Sequence, residues 1–451
     1  MRRKGAGAPS AAGQAFVQCE DALARRASPS TRKGPAGIAT GTTKETLFMS
    51  DRRSQFKGPR VADFSTHLPG PVASHQMVQL GADVIKVEHP KWGDGNRDVA
   101  PYFDGEGLHH LALNPGARSL TLDSRSPQWA RVVEALAKWS DVVIVGNRPA
   151  TAQRLGLDFT SLLRHNPRLV YCLISGYGIA GEWASYPAHG LNVDALAGTI
   201  ALEDSGGRPD VPEHYRTVGT TAAGLQAALG VYAALYRRDQ GGGGQVVHVS
   251  IWEAALAFMW RDTSTFANTG KAWPAYRSFG SRYAIYGASD GKALLVCPTE
   301  KHFWERFCDA LALPPEMRAR GNWASGSDMG GDYVVLGERE AIQARIATRP
   351  RDEWVAVLAD ADIPVAPVLD WREAMASDHA ASNGVMTGYE YKGRQVRVPT
   401  APVSVTAGAD LAGGGYEALA EAHRRKGESV GRAPHLGEHN AEILRELGLG
   451  D

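Results

Sequence analysis

The residues best suited to carry chemistry cluster between positions 188 and 220. In Ala188-His189-Gly190-Leu191-Asn192 an imidazole stands just ahead of Asp194, and helical geometry over 190–197 would put Asp194 four residues beyond Gly190, one turn further along the same face. The neighbours Leu191, Val193, Ala195 and Leu196 are apolar, an environment that raises a carboxyl pKa and suits it to proton transfer, although a packing aspartate has the same surroundings. His189 fits an acid/base role and a structural hydrogen bond equally well. Glu213 and His214 follow in a Gly- and Pro-bounded loop. They are either a carboxylate and a base for the nearby Thr220 or part of a solvated loop. The Thr220 hydroxyl itself is a poor nucleophile without a base to activate it.

A second set of residues suits an anion. The run His67-Leu68-Pro69-Gly70-Pro71 follows a strand-like segment without a G-x-G-x-x-G pattern, which argues against a nicotinamide or flavin dinucleotide. Pro71 suits the first turn of a helix, Gly70 permits close approach to the backbone, and free N–H groups at a helix start favour phosphate. The plain alternative is a strand-to-helix turn. Glu88-His89-Pro90-Lys91 places basic groups at the end of a second strand, and Val145-Gly146-Asn147-Arg148-Pro149 ends a third, with Arg154 following as either a ligand contact or a solvated helix arginine.

The elements that must position these groups alternate between short apolar runs and helical ones. Val61–Phe64, Asp83–Val87, Asp141–Val145, Arg168–Ile174 and Gln245–Ile251 read as strands; Pro71–Leu80, Gln128–Trp139 and Thr221–Arg238 read as helices. Such alternation implies crossovers and a parallel sheet covered on both faces, an α/β, Rossmann-like architecture. Gly241–Gly244 lies between helix and strand, the reverse of a phosphate-cradling order, and reads as a turn. A helical linker over 252–280 leads to a hairpin around Ser289-Asp290-Gly291 and to helical runs at His302–Leu311, Glu338–Thr348 and Asp352–Ala359, a smaller α+β unit over 281–375. Residues 376–451 contain another hairpin, Gly388–Val398, and an amphipathic helix from Ala441 to Leu447. Residues 1–57 lack apolar periodicity and are expected to be disordered; translation from Met49 is a plausible start, with an organelle-targeting peptide as the rival reading.

At 451 residues the chain needs no disulfide or metal staple, and 49 Lys plus Arg against 49 Asp plus Glu gives no general attraction to nucleic acid or an anionic membrane. Four cysteines without C-x-x-C spacing suggest a reduced compartment and no zinc site, and no uninterrupted apolar run approaches the ~20 residues of a membrane span. A cytoplasmic protein is expected.

The ordered runs Asp63-Phe64, Gly70-Pro71, Leu80–Glu88, Gly93-Asp94 with Arg97, Arg118-Ser119, Arg148-Pro149, Asn166–Val170, Ser175–Gly178, Gly244-Gln245, Ile363–Pro367 and Ala433–His439 resemble the family III CoA-transferases. The resemblance implies a Rossmann-like large domain built from residues 58–251 and the chain's C-terminal part, a small inserted domain, and an interlocked homodimer. It implies a CoA thioester as substrate, a small carboxylic acid as its partner and no permanently bound cofactor or metal. It also implies CoA contacts at His67, Leu68, Pro69, Gly70, Pro71, His89, Arg118, Gly146, Asn147, Arg154, Tyr177 and Gly178. The family's nucleophilic aspartate aligns with Thr220, so a displaced carboxylate, Asp194 or Glu213, is the expected replacement. A racemase branch pairs that aspartate with a histidine matching His189, and has aspartate where this chain has Gly190. CoA transfer is therefore the leading expectation, followed by isomerisation through His189 and then by CoA-thioester binding without catalysis.

Overall fold

The computed structural model describes residues 58–274, 279–330, 336–426 and 431–450. The expectations for residues 1–57, including a start at Met49, lie outside the described residues.

Within that region β1 (Arg60–Asp63) leads through α1 (Pro69–Gln79) to β2 (Asp83–Glu88), and α2 (Leu108–Leu113) precedes β3 (Arg118–Thr121). Helix α3 (Trp129–Trp139) then carries the chain to β4 (Val142–Val145), and α4 (Pro149–Arg154) and α5 (Phe159–His165) carry it to β5 (Val170–Ser175). After α6 (Gly190–Leu196) and the long α7 (Val218–Arg237) comes β6 (Gln245–Ser250), followed by α8 (Ile251–Phe258) and α9 (Trp260–Thr269). The six strands form one parallel sheet in the order β3-β2-β1-β4-β5-β6. This is the doubly wound Rossmann order, and its direction reverses between β1 and β4.

Alternation along the strands explains why both faces are covered. Val61, Val84, Val142, Ile144, Val170 and Cys172 face α1, α7 and α8, whereas Ala62, Ile85, Leu120, Val143, Val145 and Tyr171 face α3, α4 and the C-terminal helix α13 (Asn440–Glu446), which contributes Ile443. The close seat of α7 depends on small residues. A Cβ on Gly224 would lie 2.6 Å from the Pro69 carbonyl oxygen and from Val72, so only glycine lets α7 lie against α1 at that point. The stretch Val218–Gly242 is in fact long and apolar enough to span a bilayer by length and composition, a property that Thr220, Thr221 and Gln226 obscure in the sequence. Of an apolar 18-residue window within it, 56 % is buried in this fold instead.

Residues 284–368 form an antiparallel sheet, β7 (Ala284–Gly287), β8 (Ala293–Val296) and β9 (Val365–Val368), with β8 central. Helices α10 (Lys301–Leu311), α11 (Glu338–Ile346) and α12 (Arg351–Asp360) cover it around Trp304, Phe307, Ile342 and Trp354. The hairpin β10 (Met386–Tyr391) and β11 (Arg394–Pro399) packs on Leu111 of α2.

Candidate functional site at the β1/β4 switch point

In an open doubly wound sheet the ligand crevice lies beyond the carboxyl ends of the strands where their order reverses. Here those ends are Asp63 of β1 and Val145 of β4, and the backbones leaving them touch: a Cβ on Gly146 would lie 3.2 Å from the Ser65 Cβ. The β1 loop is held from below by a buried charge cluster. Asp63 Oδ1 accepts from Ser65 N at 2.8 Å, and its Oδ2 accepts from Ser74 Oγ at 3.0 Å and pairs with Lys86 Nζ at 3.2 Å. The same ammonium pairs with Asp94 at 3.0 Å and donates to the Ser65 carbonyl. Burial pulls the Lys86 ammonium down, but Asp63, Asp94 and, further off, Glu88 reverse this and leave its pKa raised. Beside it Arg97 makes a two-point contact with Glu88, at 2.7 and 2.8 Å.

The cluster fixes His67 in an unusual conformation. Its φ of +61° is a left-handed backbone conformation that a residue with a Cβ adopts only when its surroundings impose it. Asp94 Oδ1 accepts from His67 N at 3.1 Å, the Asn96 amide donates to the His67 carbonyl, and the ring lies on Gly95, where a Cβ would come within 2.2 Å of ring atom Cε1. The exposed ring faces that of His189, with centroids 6.3 Å apart and planes at 78°. His189 opens α6, its backbone N–H donating to the Asn192 side chain at 3.2 Å.

Directly behind His189, α6 meets the start of α7. A Cβ on Gly190 would lie 2.7 Å from the Thr220 methyl carbon and 3.4 Å from that of Thr217. Thr220 is buried, its hydroxyl 3.1 Å from that of Thr217. Asp194 is fully buried and serves the first turn of α7: its carboxylate accepts from Val218 N at 2.8 Å, Gly219 N at 3.0 Å and the Tyr215 hydroxyl at 3.0 Å. A charged acceptor at the positive end of a 20-residue helix is a capping arrangement, supplied here from a neighbouring helix.

Beyond β5, buried Tyr177 packs against Trp183 at 5.6 Å, and Trp183 against the exposed Tyr186 at 5.2 Å. Arg148, at the end of β4, donates to the Ser185 carbonyl at 2.9 Å and ties this aromatic segment to the crevice.

Residues 56–440 match the sequence model of CoA-transferase family III. The chain belongs to that family. It is 29 % identical over 405 residues to the acetyl-CoA:oxalate CoA-transferase of Acetobacter aceti, covering 88 % of this chain and 96 % of the relative. It is 28 % identical over 408 residues to the alpha-methylacyl-CoA racemase of Homo sapiens, covering 87 % and 93 %. A CaiB/BaiF family protein from Brucella suis has the same fold, with a TM-score of 0.68 at 23 % identity over 87 % of this chain and 98 % of that one.

The residues expected to contact CoA fall at different ends of the sheet. His67, Leu68, Gly70, Gly146, Asn147, Tyr177 and Gly178 all lie on segments that leave carboxyl ends of β1, β4 and β5. His89 follows β2 and stacks on Trp92, with centroids 3.6 Å apart and planes within 1°. Arg154 is exposed at the end of α4, and Glu213 is exposed on the turn before α7. Arg118 requires a correction as a ligand contact. It is the first residue of β3, at the amino end of the sheet and away from the crevice, and it pairs with Asp83, Glu442 and Glu446 at 2.7, 2.9 and 2.7 Å. The helix start is also poorer in donors than expected. Helix α1 begins at Pro69 rather than Pro71, so two of its first three residues lack an N–H, and Gly70 is buried under Ser65. Asp94 and Asn96, which set the His67 backbone, escaped notice as site residues; the Asp-Gly-Asn sequence was a usable signal of local side-chain-to-backbone bonding.

Proposed function

We propose that this chain binds an acyl-CoA thioester in the β1/β4 crevice and moves coenzyme A to a small carboxylic acid. Family membership supports a CoA-thioester substrate, and relatives named as CoA-transferases, including the succinate–glutarate CoA-transferase of Agrobacterium fabrum, support the reaction class. The observation that shapes the mechanism is the neighbourhood of Thr220: the hydroxyl is paired with Thr217, and the nearby Asp194 is buried with three donors on its carboxylate. The acceptor acid then takes the nucleophile's part itself. Its carboxylate oxygen attacks the thioester carbon and the CoA thiolate leaves, giving a mixed anhydride. The thiolate attacks the acceptor's acyl carbon, and the donor carboxylate departs.

Labelled succinate incubated with acetyl-CoA or succinyl-CoA tests this reading. Label should enter the CoA ester while intact-mass spectra show no hydroxylamine-sensitive protein adduct. An adduct on Glu213 would assign the nucleophile to that residue, and absence of exchange with any acid tried would defeat the transfer reading. Isomerisation at the α-carbon is a second reading, favoured by the facing imidazoles of His67 and His189.

We also propose a homodimer. Leu225, Leu229 and Tyr236 on one side of α7, with Phe258, Trp260 and Phe266 of α8 and α9, are large apolar side chains left exposed in the single chain, as expected of surface covered by a second copy.

A further inference from the structure

We infer that a cavity at the amino end of the parallel sheet is a second ligand site, and that it takes a small molecule carrying two or more negative charges on phosphate or carboxylate groups. The site is separate from the β1/β4 crevice, and the inference stands whether or not that crevice holds an acyl-CoA thioester.

The cavity, of about 480 Å³, lies where β1, β4 and β5 begin, and four cations line it: Arg60 of β1, Lys138 near the end of α3, Arg168 just before β5 and Arg238 just after α7. Its one lining carboxylate, Asp141, is already engaged. One oxygen accepts from Arg60 N at 2.9 Å and the other from the Arg238 guanidinium at 2.9 Å. Two further carboxylates flank the wall: Asp239 is shared between Arg238 at 3.0 Å and Arg168 at 3.4 Å, and Glu134 pairs with Lys138 at 2.6 Å. Even with all three counted, one positive charge is left over. That excess sits at Arg60, whose exposed guanidinium lies 5.7 Å from the centroid of the Trp139 ring and pairs with no carboxylate among the described residues.

Cations in or just past the last turn of a helix have a plain use, since they offset its negative end, and this accounts for Lys138 and Arg238. It does not account for Arg60 and Arg168, which stand at the starts of strands. The Lys138–Glu134 and Arg168–Asp239 pairs are exposed and screened by water, so both cations can turn to a bound anion at little cost. A buried hydroxyl adds to the demand: Ser140 belongs to the same wall, and its Oγ has no hydrogen-bond partner among the described residues. The four residues of β4, at ~3.3 Å each, put at least about 13 Å between this cavity and the crevice at the strand's other end. A small anion here therefore makes no contact with a ligand in the crevice.

Titration calorimetry on the full chain, at low ionic strength and with excess CoA present to fill the crevice, tests the assignment with pyrophosphate and citrate as probes. One ion should bind per chain, and the tighter of the two probes identifies the anionic group the site prefers. Arg60→Ala and Arg168→Ala should each weaken that binding by about 10-fold or more, and Arg60→Lys should keep most of it. Arg397→Ala, which removes an exposed charge from β11 outside the cavity, should leave it unchanged. The probe should also raise the melting temperature of the parent and fail to do so in Arg60→Ala at the same concentration, which separates lost binding from lost folding. The inference is overturned if neither probe binds the parent, if CoA displaces the probe, or if Arg397→Ala weakens binding as much as Arg60→Ala and Arg168→Ala do. Protein that takes a probe but no CoA would remove the acyl-CoA reading and leave this one standing.

Discussion

Replacing Asp194 separates a structural carboxylate from a nucleophilic one. In Asp194→Ala the N–H groups of Val218 and Gly219 lose their acceptor at the buried start of α7, whereas the Tyr215 hydroxyl keeps Thr199 at 2.8 Å. An orphaned buried amide costs about 1–3 kcal/mol, and losing the negative charge at a helix N-terminus costs up to about 2 kcal/mol; because these overlap, the expected destabilisation is about 3–5 kcal/mol. In Asp194→Asn one carbonyl oxygen can still serve Gly219 N, and the new amide can donate to Tyr215, so only Val218 N is stranded and the loss is about 1–3 kcal/mol. At about 2 °C per kcal/mol for a large cooperative unit, the alanine variant should melt about 6–10 °C below the parent and the asparagine variant about 2–6 °C below. Scanning calorimetry, with label transfer measured well below either midpoint, reads both properties. If Asp194→Ala melts within about 1 °C of the parent and loses transfer, Asp194 is doing chemistry and the capping account is wrong.

Further expectations follow from other contacts. Gly190→Ala pushes a methyl into Thr220 and should cost about 1–3 kcal/mol, while adding Thr220→Ser removes the offending carbon and should recover most of it in a denaturant double-mutant cycle. Arg118→Met should lower the melting temperature slightly, its partners being partly exposed, and leave CoA affinity unchanged; a large affinity loss would return Arg118 to the ligand site. Acid should destabilise the fold in two stages. Burial lowers His75 and His110 to about 4 from 6.5, so each favours folding fully above pH 6.5 and loses that contribution as pH falls toward 4. Burial alone would raise Glu88, but Arg97 and Ser119 hold it at about 2, so its contribution, full above about pH 4.5, is lost between there and pH 2. His110→Gln should flatten the first stage of a pH-dependent urea titration; an unchanged slope between pH 6.5 and 4 would count against neutral burial.

Much of the fold was legible because periodicity survives wherever burial is two-sided. Val142–Val145 is continuously apolar and is buried at all four positions, and the sequence boundaries of β1, β2, β5 and β6 fall within two residues of those observed. Strand β3 was not recognised, since as an edge strand with the sequence Arg-Ser-Leu-Thr it buries only Ser119 and Leu120. Residues of the candidate crevice could be named from the sequence, but their arrangement could not. Asp194 stands out on the assumption of a helix over 190–197, and the structure has one at Gly190–Leu196, but Asp194 turns to the amides of α7 because α7 starts without a capping side chain of its own. The meeting of His67 with His189 depends on a positive φ set by Asp94, far along the chain, and no local pattern encodes it.

The Gly190–Thr220 contact also bears on how this crevice can be altered. The two positions share one van der Waals boundary, so any side chain introduced at 190 would meet the Thr220 methyl before it met a ligand in the crevice. Enlarging position 190 therefore has an order: position 220 must give up its branch first, and the reverse sequence passes through a less stable intermediate. A library that randomises both positions together avoids that ratchet, whereas one that walks through them singly starts on its unfavourable side half the time.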